Sequence, residues 1–152
     1  MTMDDLNAGD RQLANDLGWP LQRLCEVVGT GWEPVAPADN DGYVDLDQPQ
    51  WYVAGEPAQV MLGVSREPAG QVLVARPSGV WRSWMLTYEP QLPTSIYLGD
   101  VAALQSRLAE VATSRRRSFR WCRYCRTPAA PEHRTEVDVC SGCATDVQGV
   151  VF

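Results

Sequence analysis

With 152 residues, 45% hydrophobic side chains and six tryptophans, the chain can build one compact domain, or one domain with a small appendage, and it has too many core-forming residues to be disordered throughout. Its formal charge of −6 is uneven, with six Arg against fifteen acidic residues in 1–113 and seven Arg against four in 114–152. All thirteen basic residues are arginine, which excludes a Walker A lysine, a Schiff-base lysine and a lysine general base.

No segment approaches the roughly 20 apolar residues of a membrane helix. The opening MTMDDLNAGD is acidic where a secretory leader is basic and then apolar. The expectation is a cytoplasmic protein without a membrane partner. Arginine used to the exclusion of lysine reads as a GC-rich coding sequence of bacterial or phage origin.

In chain order, Asp10 to Leu17 predicts a helix ending at Gly18. Pro20 then opens a second helix with Leu21, Leu24 and Val28 at helical spacing, where Cys25 reads as a small buried hydrophobe. Residues 29–49 are rich in Gly, Pro, Asp and Asn and predict a loop with a short strand near Trp32 to Val35. Within it, 39–47 resembles a calcium loop only superficially. Setting Gly42 at the required glycine puts Pro37 and Gln48 at the charged end positions, so a solvated loop is expected, with an acidic surface for a basic partner as the functional alternative.

Four strands follow, at Trp51–Ala54, Gln59–Ser65, Gln71–Arg76 and Val80–Tyr88, separated by turn clusters at 55–57, 67–70 and 77–79. Ser95–Leu98 offers a fifth. Asp100 caps a helix whose Val101, Leu104, Leu108 and Val111 form a stripe suited to covering the sheet. The predicted fold is α+β: two N-terminal helices, an antiparallel sheet of four to five strands, one covering helix and, from the paired Cys122/Cys125 and Cys140/Cys143, a C-terminal zinc finger. The expected divisions are an acidic body at 1–113, a basic junction at 114–120 and the finger at 121–152.

The finger rests on Cys122, Cys125, Cys140 and Cys143, two CxxC pairs separated by fourteen residues. Four thiolates at one point suit Zn²⁺, and a cage that fills every coordination position leaves none for substrate, so the zinc reads as structural. The order of knuckle, hairpin-like middle and ligands at a helix start resembles the treble-clef class of zinc fingers, with the zinc ribbon as the neighbouring possibility. The string CRYC, Glu132-His133 and VCSGC further resembles a shortened HNH endonuclease. That resemblance implies an acidic–histidine element with further Asn and His residues around a metal. Here His133 is the one histidine and the asparagines, Asn7, Asn15 and Asn40, lie outside the module, so the catalytic set is incomplete.

Arg115, Arg116, Arg117, Arg120, Arg123 and Arg126 are interleaved with Phe119, Trp121 and Tyr124, a composition that suits contact with a partner or with nucleic acid. The strongly acidic remainder opposes a polyanion. The sequence therefore leads to a non-enzymatic zinc-containing protein that acts through protein contact, in the manner of an antitoxin, an immunity protein or an adaptor. One alternative is a nucleic-acid-binding regulator using the arginine-rich finger; a third is an unrecognised hydrolase or degenerate HNH-type nuclease.

Overall fold

The computed structural model describes residues 6–36, 47–65 and 70–148. Residues 37–46 and 66–69 lie outside the described residues, and with them all but Asp47 of the acidic stretch 39–47 and all but Gly70 of the expected turn 67–70. The architecture is α+β, built on a five-stranded antiparallel sheet with strands in sequence order.

Helix α1 (Ala8–Leu17) starts with a reciprocal capping box, in which Asn7 accepts from the Asp10 amide at 2.7 Å and Asp10 accepts from the Asn7 amide at 3.3 Å. Asp10 is fully buried because the same carboxylate also accepts from the amides of Gly31, at 3.2 Å, and Trp32, at 2.8 Å. This fastens α1 to strand β1 (Trp32–Pro34). The approach is so close that a side chain at Gly9 would put its Cβ 2.1 Å from the Trp32 carbonyl oxygen. Helix α2 (Leu21–Val27) buries Leu24, while its neighbour Cys25 is only half-buried, more open than the sequence suggests.

Strands β2 (Gln50–Ala54) and β3 (Val60–Val64) are close to their expected positions. The next two are not. The expected strands 71–76 and 80–88 are one continuous strand β4 (Gln71–Arg82) followed by β5 (Met85–Tyr97), and the 77–79 cluster read as a turn lies inside β4. Pro77 is tolerated there because β3 pairs only with Met61↔Ala75 through Val64↔Val72. Beyond Ala75, β4 therefore has β5 as its sole partner and a missing amide costs no second ladder. The turn is instead the two-residue tip Ser83-Trp84, with Ser83 in the left-handed region at φ 57°. A bulge sets Leu92 and Pro93 opposite Ala75, marking where the hairpin leaves the sheet as a two-stranded arm.

Helix α3 (Val101–Arg117) is capped by Asp100, which accepts from the Ala103 amide at 3.0 Å. Its Leu104 and Val111 are buried, and Leu108 packs beside them, as the stripe predicts. The core they join contains Leu13, Leu24, Trp32, Tyr52, Leu62 and Val74. The junction expected at 114–120 begins inside this helix. Arginines in its last turn are good helix formers and complement the negative end of the macrodipole.

After α3 come β6 (Arg120–Trp121) paired with β7 (Pro128–Ala129), a 3₁₀ turn at Pro131–His133, β8 (Arg134–Glu136) paired with β9 (Val139–Cys140), and α4 (Ser141–Gln148). No helix of the described residues is long and apolar enough to cross a membrane.

Candidate metal centre and the body–finger contact

The first cysteine pair sits on the turn between β6 and β7. Cys122 donates its amide to the Thr127 carbonyl and accepts at its own carbonyl from the Arg126 amide, both at 3.0 Å. Arg126 takes a left-handed φ of 60°, which closes the knuckle. The second pair straddles the end of β9 and the first turn of α4. The helix start and the strand before it supply amides to sulfur: the Cys143 N–H donates to the Cys140 Sγ at 3.4 Å, and the Cys140 N–H donates to the Cys122 Sγ at 3.5 Å.

All four sulfurs lie within 4.8 Å of one another and none is in a disulfide. The Cys125 and Cys140 sulfurs are 3.8 Å apart. A tetrahedron of Zn–S bonds of about 2.3 Å has edges of about 3.8 Å, whereas a disulfide needs about 2.05 Å. The cluster can therefore hold a metal ion. Amide donors, those of Cys140 and Cys125 foremost, pull the Cys122 thiol down to about 6. In the other direction the Cys143 thiol is pushed up to about 12, first by its hydrogen bond with Cys140 and then by burial. Four thiols crowded this way cannot all ionise beside one another unless a cation joins them.

The sequence singles out Glu132 and His133 as an acidic–histidine pair, and their surroundings give them another task. Glu132 is ion-paired with Arg115, and their side chains are 2% and 3% exposed. Arg115 also donates through Nε to the Ala58 carbonyl at 3.0 Å, and its guanidinium lies 5.3 Å from the Phe119 ring centre. Trp81, on the arm, donates through Nε1 to the Glu132 carbonyl at 2.8 Å and meets the His133 ring edge-on at 6.3 Å. At Gly79 a Cβ would fall 2.5 Å from the Cβ of Glu132, so the arm admits the finger only because that position has no side chain. Tyr88, opposite Gly79 on β5, has its phenol raised by burial and then by the Glu132 charge.

The arginines thus separate by role. Arg115 is buried and cannot belong to an exposed contact surface. Arg120 donates to the Arg117 and Phe119 carbonyls, at 2.7 and 3.0 Å, and so closes the end of α3. Arg123 lies over the Tyr124 ring at 5.1 Å and 3.6 Å from a Glu136 oxygen. Arg116, Arg117 and Arg126 are exposed. Trp121 at 65% and Tyr124 at 42% exposure remain available near them in sequence.

A cleft of about 830 Å³ opens between the body and the finger. On the body side it is lined by Glu33, Val53, Glu56, Leu86 and Tyr88, and on the finger side by residues 127–130, His133 and Cys140. Sequence reasoning did not single out Glu33 or Glu56; isolated glutamates beside strands carry no motif.

The chain has no significant match to a protein-family model, to a curated protein or to a solved structure.

Proposed function

We propose that this chain is a zinc-containing binding protein without catalytic activity of its own, acting in the cytoplasm through contact with another protein, as antitoxin- or immunity-type inhibitors and adaptors do. The four sulfurs of Cys122, Cys125, Cys140 and Cys143, all within 4.8 Å, carry the metal part of this reading. Four protein ligands fill a tetrahedral zinc and leave no position for an activated water. The knuckle, the hairpin and the ligands at the start of α4 follow the order of a treble-clef finger. Glu132 is committed to Arg115 and His133 to Trp81, which counts against the nuclease alternative, since both residues of the acidic–histidine element are engaged in docking.

The bulk zinc test is elemental analysis of protein prepared with reductant and without chelator. One zinc per chain is expected, and Cys140→Ser should abolish it; a ratio near zero would sink the reading.

A second reading, nucleic-acid binding, is favoured by exposed Arg116, Arg117 and Arg126 together with the open ring of Trp121. Substituting Arg116, Arg117 and Arg126 by Ala should, on that reading, weaken DNA or RNA binding uniformly and lower the salt slope by roughly 1 per lost phosphate contact. On the leading reading, nucleic-acid retention is negligible before and after.

A further inference from the structure

The cleft between body and finger has a specific chemistry. Glu33 pairs with Val53 across β1 and β2, and both line it, so a carboxylate stands beside an aliphatic surface. Glu56, in the turn between β2 and β3, adds a second carboxylate, and Leu86 on the arm adds a second apolar wall. Neither Glu33 nor Glu56 has an ion-pair partner among the described residues. Cys140 brings the thiolate cluster to the finger side, and four thiolates around a divalent cation keep a net charge of about −2. Among the described lining residues His133 is the one side chain able to carry a positive charge.

We propose that this cleft is the docking site for an arginine- or lysine-bearing segment of a basic partner protein. The inference rests on the protein-contact reading and names the surface that serves it. Arginine and lysine have an aliphatic stem and a cationic head, and the cleft offers both complements side by side, Val53 and Leu86 for the stem, Glu33 and Glu56 for the head. A volume of about 830 Å³ takes a few side chains and not a whole element. The acidic body, fifteen carboxylates against six arginines over 1–113, draws such a segment in from a distance. A nucleic acid would meet the same carboxylates with its phosphates and be repelled. The finger forms one wall, so the metal acts on binding by holding that wall in position.

The test is an amide-resolved NMR titration of the zinc-loaded full chain with the peptide acetyl-Ala-Arg-Ala-Arg-Ala amide, and with its citrulline analogue, which keeps the shape and lacks the charge. Shifts are expected to cluster at 31–33, 53–58, 86–88 and 127–133. The double variant Glu33→Gln with Glu56→Gln should raise the Kd at least tenfold, and the citrulline peptide should leave the spectrum unmoved. Both glutamates are exposed, so the amides should not disturb the fold, and the variant's own spectrum checks this. Shifts spread evenly over the acidic body, or equal affinity in the double variant, would overturn the proposal. A native protein complex that forms equally well with the double variant overturns the cleft and leaves the contact reading standing. Arginine-dependent DNA or RNA binding in place of any protein complex overturns both.

Discussion

The helix cover of the sheet and the contact between arm and finger are held together in opposite ways. On one face α1, α2 and α3 bury Leu13, Leu24, Leu62, Val74, Leu104 and Val111, a continuous apolar cluster stabilised by area. Beyond the sheet, the finger meets the arm and the end of α3 through the Arg115–Glu132 pair, a Trp81 hydrogen bond and the contact at Gly79. The first kind of cover tolerates changes of detail, since many contacts share the energy. The second concentrates it in a few groups, because a charge taken out of water is stable only while its partner is present. Among the described residues the finger has no core of comparable size, with Ala129, Ala130, Val139 and Ala144 as its buried apolar residues apart from Cys122. A metal ion held by the four cysteines would supply what area cannot.

If the cluster holds zinc as proposed, the sharpest way to break this contrast is to remove the ion. Structural zinc contributes an apparent ~10–16 kcal/mol in small fingers, so chelation or Cys140→Ser should unfold residues from about 120 onward. Hydrogen exchange should then accelerate in the finger and in the arm it rests on, while the helix-covered core keeps its protection. Equal loss of protection across β2 and β3 would mean that the body depends on the finger throughout.

Next in size is a pair of substitutions. Glu132→Ala leaves the Arg115 guanidinium without its counter-charge and should cost about 3–5 kcal/mol. Leu104→Ala should cost about 2–5 kcal/mol by opening a cavity. The two should differ in where the loss falls. Denaturation read by exchange should show the first releasing the finger and the second loosening the core, with zinc content unchanged in the second. Gly79→Ala should cost about 1–3 kcal/mol, since the finger must shift to admit a methyl, and should act on the finger before the core.

The smallest effect is one of pH. The Tyr52 phenol is held above its ordinary value by burial, then by its hydrogen bond to Asp16 and by that charge. Tyr88 is raised as well. Because the folded state keeps these protons when the unfolded chain has begun to lose them, stability is fully present below about pH 10 and falls as pH rises above it. Tyr52→Phe should flatten the fall and cost roughly 1 kcal/mol at neutral pH for the lost hydrogen bond. An unchanged slope in alkaline urea titrations would count against the assignment.

Legibility followed the range of the interaction. The helix over 10–17, the stripe on α3, and strands β2 and β3 were readable because their signals are local patterns of apolar residues. The cysteine cluster was readable because its spacing reports a shared ligand. The arm was misread, since Pro77-Ser78-Gly79 has turn chemistry and the true tip at Ser83-Trp84 has neither glycine nor proline. What suppressed the turn was register: β4 and β5 stay paired from Arg76↔Gln91 to Arg82↔Met85. The Arg115–Glu132 pair was not readable at all, since a charged residue in an arginine run normally marks solvent, and its partner stands seventeen residues away. The cleft needs several elements from distant parts of the chain and leaves no trace in any one of them.

The position of Asp10 has a further consequence for how copies of the chain behave toward one another. An exposed strand edge is a template for another strand, and a sheet with open edges polymerises. On β1 the Val35 amide bonds inward to Trp51, so by alternation the outward-facing amides belong to Trp32 and Pro34. The first is occupied by the Asp10 carboxylate, and the second does not exist, because proline has no N–H. At the opposite edge β5 contains Pro90 and Pro93, with the bulge at Leu92 and Pro93 interrupting the run. Both margins of the sheet therefore carry prolines that hinder edge-to-edge pairing, and on β1 a buried carboxylate that looks like a helix cap also takes one of the outward amides.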